Sequence, residues 1–310
     1  MTPWALILAG GDGTRLRPLT SQIAGDARPK QFCALLDGET LLDRTRRRAD
    51  LVIRGDRQMV VVTRSHEAYY GHVHRELPPG RLVVQPVNRG TGPGITYPLL
   101  HMMELTGDVP VVIMPSDHYV SDDRAFMAHV DIAFDAVRAR RESVVLLGIE
   151  PTHPEKEYGW IGPAELPWAH DGEQPVFPIL RFWEKPDIGA AERLFHHGCL
   201  WNSFVMVGWA SAFLDLVGAT NPALLRAFAP LRGRLGLPAE ARAVERVYAR
   251  LPETGFSETV LSEGTSRLGV VRVKGLEWSD WGHPRRVLAS LGRAGLRPAW
   301  LPHVRLAEAG

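Results

Sequence analysis

The sequence predicts an α/β fold: a Rossmann-like, doubly wound, mostly parallel mixed sheet flanked by helices. The apolar runs Val109–Met114 and Val144–Ile149 do not alternate with polar residues, which is typical of strands that are covered on both faces. Residues 123–141 instead carry apolar side chains three and four positions apart, the spacing of an amphipathic helix. Because strand and helix patterns alternate along the first half, right-handed crossovers and a doubly wound sheet are expected.

The two halves of the chain differ in composition. The first half adds predicted strands and helices by the same patterns: Ala5–Ala9, Met59–Thr63 and Leu82–Gln85 as strands, and Leu41–Val52, His66–Leu77 and Pro93–Leu105 as helices. Residues 151–178 are rich in proline, glycine and tryptophan, and seven of the nine tryptophans lie between Trp160 and Trp281. We therefore expect a loop- and tryptophan-rich excursion there. Later segments predict four helices, at Ile188–His197, Ala210–Val217, Ala239–Arg250 and Arg285–Arg293. They also predict a strand at Leu268–Gly275.

Composition narrows the partners and the compartment. The chain has 310 residues, 45% hydrophobic and 23% charged, with a net charge of +1, so neither nucleic acid nor a membrane is an expected partner. Cys33 and Cys199 lie far apart and form no CxxC pair, which favours two reduced, buried side chains. The first apolar run reaches glycine too early for a signal peptide, and no run approaches the roughly 20 apolar residues of a membrane helix. We predict a cytoplasmic protein.

The first predicted strand ends in a glycine-rich loop, LILAGGDGTRLRPLT, at residues 6–20. Glycines at this place let the backbone approach a ligand and present N–H groups to phosphate oxygens. The string from Gly11, G-D-G-T-R-L, lacks the last glycine of a dinucleotide fingerprint, and neither a P-loop nor a GxSxG elbow occurs. Arg15, and Lys30 in RPKQF, are available to neutralise phosphate. The loop therefore predicts a phosphate site of another kind.

These residues resemble the signature of the sugar-nucleotide pyrophosphorylases, nucleotidyltransferases that join a nucleoside triphosphate to a sugar 1-phosphate. Further stretches follow in family order over roughly residues 4–290: QPVNRGTGPGI, VVIMPSDHYV, GIEPTHPEKEYGWI, RFWEKPD, LWNSFVMV and LEWSDWGHP. Within the family they are most similar to the mannose-1-phosphate guanylyltransferases. The resemblance implies one catalytic domain at 1–290, with a nucleotide-binding half at about 1–150, a sugar-phosphate half at about 151–290 that contains the excursion, and a C-terminal extension at 291–310.

The resemblance also implies roles for individual residues. The implied catalytic residues are Arg15, Lys30 and Lys185, of which Lys185 grips the sugar 1-phosphate. Sugar contacts are implied at Gly159, Glu184 and Asn202. The implied nucleotide-binding residues are Leu8, Ala9, Gly10, Gly11, Gly13, Thr14, Arg15, Lys30, Gln85, Gly90, Thr91 and Asp117.

Two aspartates are the predicted metal ligands. Asp117 follows the apolar strand at 109–114, at the carboxyl edge where open α/β sheets bind ligands, and Asp280 in EWSDWG could meet it there. Two carboxylates with triphosphate oxygens make a hard-oxygen site that suits Mg²⁺. The resemblance assigns the metal to the same two residues.

The predicted reaction is transfer from GTP to mannose 1-phosphate, giving GDP-mannose and pyrophosphate, by Mg²⁺-assisted in-line attack of the sugar phosphate on the α-phosphorus. The base stays open, because Gln85 and Gly90 replace the glutamate and asparagine usual in guanylyltransferases. The alternatives are dTTP or UTP, glucose, fucose or heptose 1-phosphate, and a non-catalytic sugar-nucleotide sensor. The presence of Arg15, Asp117 and Lys185 disfavours the sensor. Assembly as a homodimer is left open.

Overall fold

The computed structural model of the protein describes residues 2–36, 38–168 and 174–304. The strands are β1 Trp4–Leu8, β2 Gln58–Thr63, β3 Leu82–Gln85, β4 Pro110–Pro115, β5 Tyr119–Val120, β6 Val144–Ile149, β7 Trp160–Pro163, β8 Val176–Trp183, β9 Leu200–Trp209, β10 Leu268–Val273 and β11 Trp278–Ser279. The helices are α1 Arg17–Ala24, α2 Leu41–Asp50, α3 Glu67–Glu76, α4 Thr91–Thr106, α5 Asp123–Ala139, α6 Ile188–His196, α7 Ala210–Thr220, α8 Pro222–Ala227, α9 Glu240–Tyr248 and α10 Pro284–Ala294.

Within the described residues, nine strands form one mixed sheet in the order β3-β2-β1-β4-β9-β6-β10-β8-β7. Strands β1 to β4 are parallel to one another wherever they pair, and β10 is parallel to β6. Strand β9 runs antiparallel to both β4 and β6, and β7 and β8 add further antiparallel pairs. The predicted α/β fold with a mixed sheet is confirmed, and its parallel character is concentrated in the first half of the chain.

Strand β9 is the longest element that the apolar patterns did not predict. Its ten residues are buried almost throughout, but Asn202 and Ser203 interrupt the apolar run. Ser203 is satisfied inside the sheet because its hydroxyl donates to the carbonyl oxygen of Leu147 at 2.6 Å. Phe204 follows with φ at 58°, and the register of β9 against β6 shifts at this point. A β-bulge therefore lies at the centre of the sheet and redirects the side chains around it.

The strands and helices that the sequence patterns predicted are present in the structure. β3 and β6 have the predicted bounds, and the predicted helices are present with ends shifted by a few residues. Cys33 and Cys199 are buried and unbonded, as predicted. Helix α10 crosses the expected boundary at residue 290, and residues 305–310 of the expected extension lie outside the described residues, as do residues 169–173 of the excursion. In the described part of the chain, every helix is too short or too polar to cross a bilayer.

A second, smaller apolar cluster lies beneath the glycine loop. In it the rings of Tyr119 and Trp281 stack with centroids 5.0 Å apart and planes 5° apart. Leu16 of the loop and Val287 and Leu291 of α10 belong to the same cluster. Because this cluster joins the loop after β1 to the segment around Trp281, it brings residue 280 to the edge of the sheet where β1 and β4 end.

Candidate active site

The glycine loop is held by its carbonyl oxygens. The amide of buried Gln31 donates to the carbonyls of Ala9 and Gly11, at 3.0 and 2.7 Å. The hydroxyl of Thr63 donates to the carbonyl of Gly10 at 2.8 Å. Gly13 has φ at 56°, a conformation that glycine adopts without steric cost. With its carbonyls bound to protein donors, the loop can offer its amide N–H groups to an anion.

Two adjoining cavities lie along this loop, and Asp117 lines both. The first has a volume of about 280 Å³ and contains seven of the predicted nucleotide-binding residues. Its lining is Leu8, Gly10, Gly11, Val61, Gln85, Asn88, Gly90, Thr91, Gly94, Pro115, Asp117, His118 and Phe204. The second, of about 240 Å³, is lined by Gly13, Thr14, Arg15, Leu16, Lys30, Asp117, Trp281 and Gly282. Ala9 lines neither cavity, because it is buried in the wall of the loop.

Gln85 and Gly90 form the wall opposite the loop. Gln85 is buried, and its Oε1 accepts a hydrogen bond from the Tyr248 hydroxyl at 3.0 Å. Gly90 has φ at 83°, and a Cβ there would lie 2.4 Å from the carbonyl oxygen of Thr254. Its N–H donates to Oδ1 of Asn88 at 2.9 Å, so this amide is already bonded within the protein. Asn88 also donates to a carboxylate oxygen of Asp12 in the glycine loop at 2.8 Å, which joins the two walls.

Lys30 is not the free cation that the sequence suggested. It is buried, and its ammonium lies 3.3 Å from a carboxylate oxygen of Asp117. It also donates to the backbone carbonyls of Asp280 and Trp281. Lys30 therefore places one positive charge between the two predicted metal ligands and ties the segment around Asp280 to the end of β4.

Asp280 is ionised and firmly held. Burial by itself would raise the pKa of Asp280, but the charges of Lys30 and Arg286 hold that pKa below its usual value. The Arg286 Nε lies 3.2 Å from one carboxylate oxygen, and the Tyr158 hydroxyl donates to the same oxygen at 3.3 Å. Asp117 is less constrained, with 28% of its side chain exposed. No group of three or more His, Cys, Asp or Glu side chains placed to hold a metal ion occurs in the described part of the chain.

Arg15 reaches from the glycine loop to the second half of the chain. Its guanidinium donates to Glu157 at 3.1 Å, and more than half of its side chain is exposed. Arg286 of α10 donates to the same carboxylate at 2.7 Å and to Glu155 at 3.0 Å. Arg15 lines the second cavity, and it shares its acidic neighbour Glu157 with Arg286.

The predicted sugar contacts lie together. A Cβ on Gly159 would be 2.9 Å from the ring of Phe182, 3.0 Å from a carboxylate oxygen of Glu184 and 3.3 Å from Cβ of Asn202, so a larger residue would push these groups apart. Burial raises the pKa of Glu184, although its contact with Lys185 opposes that change. Nearby Glu258 also raises it, through its negative charge. The carbonyl oxygen of Gly159 accepts a hydrogen bond from the backbone N–H of Asn202 at 2.8 Å.

Three non-glycine residues around the candidate site have left-handed backbone conformations. Among the described residues, the non-glycine positions with positive φ are Lys185 at 43°, Phe204 at 58° and Trp281 at 45°. Each conformation costs on the order of 1–3 kcal/mol and persists only where the surroundings enforce it. Lys185 bears its ammonium 3.4 Å from Glu184, Phe204 lines the first cavity, and Trp281 lines the second.

Sequence reasoning missed several residues of this site. Asn88 and Phe204 lie inside motifs quoted above. The sequence does not show that this asparagine joins two loops or that this phenylalanine has a positive φ. Tyr248 and Arg286 lie on helices far along the chain, where each has the appearance of an ordinary helical residue. Only the fold brings Tyr248 to Gln85, and Arg286 to Glu155 and Glu157.

Comparison with known proteins agrees with this geometry. The family model described as Nucleotidyl transferase matches residues 4–286. The xanthan biosynthesis protein XanB of Xanthomonas campestris pv. campestris (strain B100) is 32% identical over 71% of this chain and 44% of its own length. Mannose-1-phosphate guanylyltransferase RfbM of Salmonella typhimurium is 26% identical over 89% of this chain and 56% of its own length. The chain thus spans about half the length of these curated relatives.

A solved structure gives the same relationship in three dimensions. The crystal structure from Thermus thermophilus that is described as a mannose-1-phosphate geranyltransferase superimposes with a TM-score of 0.79 at 28% identity. The match covers 96% of this chain and 80% of that chain. The glycine loop, both cavities and the group around Glu184 all lie within the residues that match the family.

Proposed function

The chain belongs to the nucleotidyl transferase family, and on that premise we propose that it joins GTP to mannose 1-phosphate, releasing pyrophosphate and forming GDP-mannose. The observation that carries the proposal is the position of the predicted sugar contacts, Gly159, Glu184 and Asn202, beside the two cavities. Phe204 lines the first cavity, and its amide donates to Asn202 at 3.0 Å. Tyr158, which precedes Gly159, donates to Asp280. A nucleotide along the glycine loop and a sugar phosphate near Glu184 would therefore meet at the two aspartates.

The proposed transfer depends on charge and position. A sugar phosphate is already anionic at neutral pH, so its oxygen needs no general base to attack the α-phosphorus. The obstacle is the repulsion between two polyanions, which Lys185 would reduce on the sugar side and Arg15 on the pyrophosphate side. Lys30, from its buried place, would keep positive charge beside Asp117. No covalent enzyme intermediate is required.

Asp117 and Asp280 offer donors of the kind that suits a magnesium ion, although Asp280 lines neither cavity and its carboxylate is already bonded to Tyr158 and Arg286. Both offer hard oxygen ligands, Asp280 is ionised, and Asp117 is open to the cavities, while Mg²⁺ commonly takes one or two carboxylates and completes its shell with water and phosphate oxygens. When bound, the ion supplies Lewis-acid stabilisation of charge on the phosphates. Because the Lys30 ammonium lies against Asp117, that carboxylate would be shared between two cations.

The names of the relatives support guanine as the base and mannose as the sugar. The side chain of Gln85 leaves other bases that carry a carbonyl oxygen as the second candidates. Its Oε1 is taken by Tyr248, and a Cβ on Gly10 would lie 2.6 Å from its Nε2, so the amide donor stands at the cavity wall. A donor there favours a base edge with a carbonyl oxygen, such as O6 of guanine or O4 of thymine and uracil, over the corresponding edge of adenine or cytosine, which carries an exocyclic amine. GTP is proposed first, and dTTP and UTP are the alternatives.

The test is pyrophosphate release with Mg²⁺ from each of GTP, dTTP, UTP and ATP, crossed with mannose, glucose and fucose 1-phosphates. Release that is fastest with GTP and mannose 1-phosphate is the expected result. Faster release with another pair would keep the reaction class and overturn the proposed substrates. Release with none, despite measurable nucleotide binding, would favour a sugar-nucleotide sensor.

A further inference from the structure

A separate cavity of about 490 Å³ lies between α8, α9 and residues 250–254, away from the glycine loop. We call it the arginine cavity, because its lining includes Arg226, Arg234, Arg246 and Arg250. Neither aspartate nor glutamate occurs among the lining residues. The volume is within the range of small-molecule sites.

The four arginines of this cavity are exposed, like those of the control below, and protein groups compensate their charges poorly. The guanidinium of Arg234 donates to the carbonyl of Pro230 at 2.7 Å. In the part of the chain that the structure describes, no hydrogen bond or ion pair holds the guanidinium groups of Arg226, Arg246 or Arg250. Arg246 lies in α9 and Arg250 follows its end, so two positive charges line the same cavity and repel each other. An anion between these side chains would relieve that repulsion and satisfy several N–H donors at once.

The floor of the arginine cavity is apolar. Leu224, Ala243, Val247 and Leu251 line it and are all buried. A cationic rim above an apolar floor matches a ligand with a phosphate group at one end and a flat or apolar body at the other. Inorganic phosphate alone would leave the floor uncovered.

We propose that the arginine cavity binds a small organic phosphate of nucleotide size, at a site distinct from the two cavities along the glycine loop. The inference does not depend on which nucleotide or sugar the enzyme uses. Guanidinium groups suit phosphate because their planar donors pair with two oxygens together. Binding is therefore expected to weaken as salt concentration rises.

The arginine cavity has direct connections to the wall of the first cavity. Val247 lines the arginine cavity, and the next residue, Tyr248, donates to Gln85. Thr254 also lines it, and its carbonyl accepts from the amide of Gly92 at 2.8 Å, at the start of α4. A ligand that shifts α9 or residue 254 would move the wall that carries Gln85, so occupancy is expected to change the KM for the nucleotide.

The experiment counts bound GDP by equilibrium dialysis for the wild type, R246A/R250A and the control R232A/R242A. The control removes the same charge from exposed arginines outside the cavity lining. The wild type and the control should bind one GDP more per chain than R246A/R250A, or bind it at least about tenfold more tightly at this site. That difference stands even if GDP does not occupy the active site, so it is independent of the proposed reaction.

Equal GDP binding by the wild type and R246A/R250A would overturn the proposal. So would an equal loss in the control variant, because the effect would then come from net charge alone. Pyrophosphate serves as the second probe. It should bind the cavity more weakly than GDP, and equal or tighter binding would contradict a site built for an organic phosphate.

Discussion

The two halves of the candidate active site are built by different means. On the nucleotide side, the walls are backbone at the ends of parallel strands, and glycines at 10, 13 and 90 permit close approaches or left-handed conformations. On the proposed sugar side, Glu184 and Lys185 directly follow strand β8 and Asn202 lies in β9, and Lys185 and the nearby Phe204 have left-handed conformations. The nucleotide side thus depends on glycines that admit backbone, whereas the sugar side combines one glycine, Gly159, with non-glycine residues that the fold holds in left-handed conformations.

This difference predicts where single substitutions act. Changes on the sugar side should remove charge or hydrogen bonds and reduce the rate with little loss of fold. Changes in the glycine loop should act through steric contact. Where protein atoms fill the space that a new side chain would occupy, the change should lower stability; where that space is open, it should weaken nucleotide binding.

The largest expected effect is that of Lys185→Ala. Because Lys185 is proposed to neutralise the attacking phosphate, its loss should reduce kcat/KM by about 10²–10³-fold. Lys274→Ala is the matched control, since the Lys274 side chain is 64% exposed and that of Lys185 is 56% exposed. Steady-state pyrophosphate release would measure both. Near-normal turnover of Lys185→Ala would remove Lys185 from the mechanism.

Two glycines of the loop sharpen the comparison. In Gly10→Ala the new Cβ would meet Nε2 of Gln85 at 2.6 Å and Oγ1 of Thr63 at 3.1 Å, so unfolding free energy should fall by about 1–3 kcal/mol. In Gly11→Ala no atom lies within 4 Å of the new Cβ. Gly11→Ala should therefore keep wild-type stability but raise the KM for the nucleotide. Denaturant unfolding and kinetics together separate the two effects. An unchanged nucleotide KM in Gly11→Ala would mean that the nucleotide does not approach this part of the loop.

The smallest expected effect is a change of stability with pH in Glu184→Gln. The pKa of Glu184 is raised in the folded protein, so the wild type loses stability as pH rises from the unfolded value of about 4.3 through the folded pKa. Glutamine resembles the protonated acid and avoids that loss. Glu184→Gln should be the more stable protein at neutral pH, with the advantage vanishing in acid, while its KM for the sugar phosphate rises. Exposed Glu263→Gln is the control, and an equal pH profile for both variants would contradict the argument.

The sequence alone was sufficient for the features that local rules govern. Buried parallel strands, amphipathic helices and a phosphate loop each leave a pattern within a few residues, and β3, β6 and the glycine loop were found by such patterns. Strand β9 was missed because Asn202 and Ser203 look polar until Leu147 is seen to accept the serine hydroxyl. The roles of Tyr248 and Arg286 depend on contacts with residues more than 100 positions away, which no local pattern records.

The central claim is that the two halves act together in one direct transfer. It is tested most directly by exchange of labelled pyrophosphate into GTP, measured with Mg²⁺ in the presence and absence of mannose 1-phosphate. We expect exchange only when the sugar phosphate, or GDP-mannose formed from it, is present, because no protein group takes the nucleotidyl group. Exchange with GTP and pyrophosphate alone would show a covalent nucleotidyl-enzyme and contradict the account.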